Sequence, residues 1–241
     1  MCVLTYLPTS NNGFIFTSNR DEQKSRESAI APRKYEIEGR YVFYPKDPQG
    51  SGTWIGGCDT FTLCLLNGGF KPHLPNPPYR QSRGRVILDF YQFLDEEKFI
   101  SQYQFSGLEP FTLVIINKQN TEKYYEIRWT GKEVISTTHA RTEPRIWSSV
   151  TLYCPEIIQE REQWFRNFLN TYPAYTADDV LHFHHTGGKG DSRNDIKMNR
   201  NEELKTLSIT QFQIDTEQFV VSYEDLQKNK KYVYRVFIEC V

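Results

Sequence analysis

A chain of 241 residues with 38% hydrophobic and 15% aromatic content can bury one large core, and a single domain is expected over 1–241. A formal net charge of −1 excludes any global attraction to nucleic acid or to an anionic membrane surface. No apolar run approaches the length of a membrane span, and the first residues lack the pattern of a signal peptide, so neither membrane insertion nor export is expected. Five cysteines (Cys2, Cys58, Cys64, Cys154 and Cys240) lack CxxC spacing and cannot all pair within the chain, which suits a reducing compartment, the cytoplasm.

Residues 2–7 and 14–18 read as a β-hairpin turned at Asn12-Gly13, with bulky side chains on both faces, as in a strand covered on two sides. A polar stretch, 21–33, follows. Strands are expected at 41–44, 53–57 and 61–66, then a proline-rich loop at 71–80 and helices at 83–93 and 96–103. A three-strand meander is expected at 111–116, 123–129 and 133–137. Pro155 opens an amphipathic helix, and Thr176 caps a second helix over 177–185. Strands return at 206–214, 218–223 and 231–241. This alternation describes an α+β fold of two sheets with helices outside them.

The chemistry concentrates at the start. A penultimate cysteine permits removal of Met1, and the new first residue then carries a thiol and a free α-amine. With a reference pKa near 8, that amine can take the thiol proton and generate a nucleophile without histidine. Hairpin pairing sets Cys2 opposite a residue in 19–23, beside Asn19-Arg20-Asp21-Glu22. A guanidinium there would favour the thiolate, and a carboxylate would orient the ammonium. Adjacent strand residues face opposite ways, so a bend is expected if Arg20 and Asp21 both face the site.

Met1-Cys2, the apolar hairpin and Asn19-Arg20-Asp21-Glu22 resemble the signature of the NRDE family, also called the transport and Golgi organisation protein 2 family. Gly52-Thr53-Trp54-Ile55-Gly56, Leu66-Asn67 and Ser82-Arg83-Gly84 match further family features. That family is similar to cysteine N-terminal-nucleophile hydrolases such as penicillin V acylase and bile salt hydrolase. The resemblance implies a four-layer αββα sandwich and cleavage of a linear amide C–N bond through a Cys2 thioester. It implies Cys2 as nucleophile and base, Asp21 as partner of the amine and Asn67 as an oxyanion donor. The acylases carry their arginine where this chain has Ser18, leaving Arg20 as the candidate. Their later oxyanion-hole asparagine is best matched by Ser149, at the end of Ile146-Trp147-Ser148-Ser149. Asn19, Trp54 and Arg83 are the candidate substrate-binding residues. No cofactor is expected, and the partner is a small-molecule substrate or a hydrophobic ligand.

Each motif also has a plainer reading. Cys2 can be a small buried hydrophobe, and Arg20-Asp21-Glu22 a solvated strand end. His182, His184 and His185 with Asp191 have metal-ligand types, but in a helical setting they fit a polar helix end lining a cleft. Gly187-Gly188-Lys189-Gly190-Asp191 lacks the Ser/Thr of a phosphate loop and reads as a turn. The 71–80 loop fits a substrate cover better than a PxxP ligand. The non-catalytic alternative is a carrier of haem or acyl-CoA using the same cleft.

Overall fold

The computed structural model describes residues 3–10, 12–216 and 218–237, so Met1, Cys2 and the end of the expected last strand lie outside the described residues. In chain order the elements begin with β1 (Val3–Pro8), β2 (Phe14–Gln23), β3 (Ile30–Ile37), β4 (Arg40–Lys46), β5 (Ile55–Gly57) and β6 (Phe61–Asn67). Helices α1 (Gly84–Phe93) and α2 (Glu96–Gln102) precede β7 (Phe111–Asn117), β8 (Lys123–Trp129), β9 (Val134–Ala140) and β10 (Arg145–Ser148). Then come α3 (Pro155–Thr171), α4 (Ala177–Thr186), β11 (Asn199–Arg200), β12 (Leu204–Ile214), β13 (Gln218–Asp225) and β14 (Lys230–Phe237). The result is a mixed α/β protein with two antiparallel sheets.

The described residues divide into two compact units. The first joins those up to Arg26 to those from Pro144 onward, and the second runs from Glu27 to Glu143. The first unit holds the sheet β10-β1-β2-β12-β13-β14, with β11 on β12. Strand β1 pairs with β2 from Val3↔Asn19 to Pro8↔Phe14, around a turn in which Asn12 takes φ 56°. Alternation sends Val3, Leu7 and Ile15 to a core with Phe165 and Phe168 of α3 and Val180 and Phe183 of α4. Leu4, Tyr6 and Phe16 of the opposite face are also fully buried. Strand β1 is covered on both faces, as its uniform bulk implies.

The second unit holds the sheet β3-β4-β5-β6-β7-β8-β9. Helices α1 and α2 bury Val86, Ile87, Phe90 and Phe99 against Leu63, Leu113 and Ile127. Two of the sequence motifs meet here: Thr53 N–H donates to Gly84 C=O at 3.1 Å. A Cβ on Gly52 would stand 2.4 Å from the Gly84 carbonyl carbon, and one on Gly84 would stand 2.9 Å from Thr53 O. Both glycines are therefore dictated by a close backbone approach between the β5 entry and the start of α1.

Strand β3 falls partly in the stretch expected to be polar and irregular, and β10 occupies a segment with no strand expected. The Thr176 cap is present as a full capping box: its hydroxyl accepts from Asp179 N–H, and Asp179 accepts from Thr176 N–H. Among the described residues, no helix is long and apolar enough to cross a membrane.

Candidate active site

Two strand ends of the first unit, the start of β1 and the end of β10, lie beside the middle of β2. Val3 opens β1 between Ser148 of β10 and Asn19 of β2, and β2 runs on through Arg20↔Ser208 and Asp21↔Thr206 of β12. Arg20 and Asp21 therefore belong to the ladder, and at 3% and 2% exposure they are not the solvated strand end of the plainer reading.

The tension between neighbouring Arg20 and Asp21 has a structural counterpart. The register slips between Thr206 and Ser208, with Leu207 the additional residue, so consecutive residues of β2 face partners two apart on β12. Asp21 meets the Thr206 hydroxyl, which donates to Oδ1 at 2.6 Å, and the Tyr153 hydroxyl, which donates to Oδ2 at 3.2 Å. Arg20 instead acts on Tyr223 of β13, whose hydroxyl burial pushes up to about 12 while the guanidinium pulls it down. The bulge thus gives the two neighbours different cross-strand partners.

Asn19 is a buried lock. Its amide donates to His184 C=O at 3.1 Å and Ile196 C=O at 3.0 Å, which leaves Oδ1 to accept from His184 Nδ1–H at 2.8 Å. With its proton on Nδ1, His184 accepts at Nε2 from the Thr5 hydroxyl at 2.8 Å. Burial, then the charges of His185 and Arg161, push this imidazole down to about 3, so it is neutral. His184 thus sits in the interior rather than lining a cleft. These bonds anchor β2 to α4 and to the 187–203 connection. His185 pairs with Glu224 at 2.6 Å, and Asp191 caps its own turn through Arg193 N–H and Asn194. Among the described residues, no cluster of three or more His, Cys, Asp or Glu is placed to hold a metal ion.

Ser149 follows β10 directly and is buried. Its hydroxyl lies 2.9 Å from that of Thr151, and its carbonyl accepts from Leu152 and Tyr153 N–H. Ser18, which stands where the acylases have arginine, donates to Val3 C=O at 3.0 Å and braces the β1–β2 pair. Within this unit, then, Asn19 and Ser148 flank Val3, and Arg20, Asp21 and Ser149 follow them along the chain.

A family model described as Transport and Golgi organisation 2 matches residues 1–232. The chain belongs to that family. No curated protein matches the chain as a relative. The match to the Transport and Golgi organisation 2 family spans both units and every motif named above.

The remaining candidates belong to the second unit. Asn67 is half-buried at the end of β6, opposite Phe111, and leads into Gly68-Gly69. There Gly68 takes φ 87° while donating to Pro110 C=O. A cavity of about 300 Å³ follows, lined by Phe70, Lys71, Pro72, His73, Pro110 and Thr130 among others. The Arg128 guanidinium lies 4.6 Å from the centre of the Phe70 ring. Trp54 is buried at 4% exposure. Arg83 holds Glu109 at 3.0 Å and Pro110 C=O at 3.2 Å, while the other Glu109 oxygen holds His73 at 3.0 Å. Arg83 therefore acts as a strut of the proline-rich loop. Tyr153 and Thr206, the donors to Asp21, were not apparent from sequence: they lie 132 and 185 positions away, Thr206 arriving by strand pairing and Tyr153 from the connection between β10 and α3.

Proposed function

We propose that the protein is a cysteine N-terminal-nucleophile hydrolase of a linear amide bond, with the αββα architecture of that class, acting in the cytoplasm on a small molecule. The observation that carries this reading is the register Ser148↔Val3↔Asn19. It makes Ser149, Arg20 and Asp21 the residues that follow the two cross-strand partners of Val3.

In the proposed reaction the Cys2 thiol gives its proton to its own α-amine, and the thiolate attacks the amide carbonyl carbon. Asp21 accepts hydrogen bonds from the resulting ammonium, and Arg20 favours the thiolate. Ser149 donates to the tetrahedral oxyanion. Collapse breaks the C–N bond, the ammonium returns its proton to the leaving amine, and water hydrolyses the thioester to the carboxylic acid.

The test is hydrolysis of a panel of linear acyl amides by protein whose intact mass confirms loss of Met1, compared with Cys2→Ala and Asp21→Asn. Turnover by the mature protein and its loss in both variants is expected. No turnover by any protein lacking Met1, together with equal haem or acyl-CoA binding by wild type and Cys2→Ala, would overturn the hydrolase in favour of the carrier.

A further inference from the structure

The carboxylate of Asp21 is gripped by a device outside the NRDE motif. Thr206 Oγ1 accepts from Met198 N–H at 3.0 Å. A backbone N–H can only donate, so the threonine's own proton is the one directed at Asp21 Oδ1, 2.6 Å away. A relay with a fixed direction, Met198 to Thr206 to Asp21, polarises each bond in turn. The second carboxylate oxygen is held by Tyr153, whose ring lies under two guanidinium groups, Arg161 at 3.6 Å and Arg200 at 5.1 Å.

Those arginines are themselves fixed. Arg161, fully buried, donates to Asn194 C=O at 3.0 Å and Asp195 C=O at 2.7 Å. Arg200 donates to Leu152 C=O at 3.0 Å, next to Tyr153 in the chain, and to Arg193 C=O at 3.0 Å. The 187–203 connection thus determines where the tyrosine hydroxyl stands. Each carboxylate oxygen accepts from one of these neutral hydroxyls, and a carboxylate oxygen can accept more than one hydrogen bond.

We propose that Tyr153 and Thr206 are positioning residues that aim Asp21 at the α-amine of Cys2, so that the reactivity of the cysteine depends on two hydroxyls that never touch substrate. This rests on the function proposed above. A misdirected carboxylate releases the ammonium from its reactive geometry, and losses of geometry of this kind cost on the order of tenfold to a hundredfold in rate.

The experiment measures the second-order rate of iodoacetamide alkylation at Cys2, resolved by peptide mass, in full-length protein lacking Met1. Wild type, Tyr153→Phe, Thr206→Val and Thr206→Ser are compared, each with its thermal midpoint. Slowing of about tenfold or more in Tyr153→Phe and Thr206→Val is expected, with Thr206→Ser restoring most of the rate because it keeps the hydroxyl. Should Thr206→Val not fold, Tyr153→Phe and Thr206→Ser still decide the matter. Folded Tyr153→Phe alkylating at the wild-type rate overturns the positioning role alone. A wild-type Cys2 no faster than the exposed thiol of Cys154 overturns the nucleophile itself and this inference with it.

Discussion

Asn19 Oδ1 accepts a hydrogen bond from His184 Nδ1 at 2.8 Å, across 165 residues of sequence, and this bond ties the strand that carries Arg20 and Asp21 to helix α4. The imidazole in this bond is neutral. Burial holds His184 at about 3 in the folded protein against an ordinary 6.5. The unfolded chain therefore binds a proton that the folded one refuses. Above pH 6.5 there is no penalty; below it, stability should fall by about 1.4 kcal/mol per pH unit until the folded-state value is approached. Denaturant unfolding from pH 7.5 to 4.5 measures this slope, and His184→Gln should flatten it.

Replacing Asn19 by leucine keeps the volume and strips three hydrogen bonds at once. The carbonyls of His184 and Ile196 and the imidazole Nδ1–H are left buried without that partner. At about 1–3 kcal/mol for each unsatisfied group, short of full additivity, a loss of about 3–5 kcal/mol is expected. Urea denaturation reads it directly. A change below about 1 kcal/mol would contradict the description of Asn19 as a lock.

Gly52→Ala tests the contact between the two glycine motifs. The added methyl would collide with backbone atoms of Gly84 and Arg85 at 2.4–2.7 Å, and backbone cannot swing aside as a side chain can. Overpacking of this kind should cost at least about 2 kcal/mol in a thermal or denaturant melt.

Glu109 joins Arg83 to His73 and so fastens the start of the proline-rich loop to the start of α1. All three side chains are about one-fifth exposed, so solvent screening keeps the stability effect of Glu109→Gln to about 1 kcal/mol. The local effect should be larger: chymotrypsin should cut native Glu109→Gln faster than wild type after the exposed Phe70, which borders the stretch the strut secures. Equal cleavage rates would show that the loop is held by its other bonds, such as Arg80 N–H to Gly107 C=O.

The hairpin of β1 and β2 was legible because Asn12-Gly13 marks the turn and bulk on both faces marks burial on both. The helices at 155 and 177 were legible from Pro155 and Thr176, which act within one turn of themselves. Strand β3 was obscured by Arg33, Lys34 and Glu36, which an exposed edge strand tolerates on its open side. Strand β10 is four residues long and exists through its pairing with β1, more than 140 positions away, so nothing local announces it. Asn19, Arg20 and Asp21 could be singled out from sequence, whereas their partners His184, Tyr153 and Thr206 could not. Burial of His184 inverts the usual expectation for a histidine near a helix end, and the bulge at Leu207 decides which β12 residue meets Asp21. The position of Cys2 itself lies outside the described residues.

The central claim is that Cys2 forms an acyl-enzyme. Rapid quenching of protein lacking Met1 with a turned-over acyl amide, followed by peptide mass analysis, tests it most directly. The account predicts an acyl mass increment on the Cys2 peptide, removed by hydroxylamine, appearing together with one equivalent of free amine. The exposed Cys154 and the buried Cys58, whose thiol burial pushes up to about 11, should remain unmodified. Amine release without any adduct at Cys2, undiminished in Cys2→Ala, would contradict it.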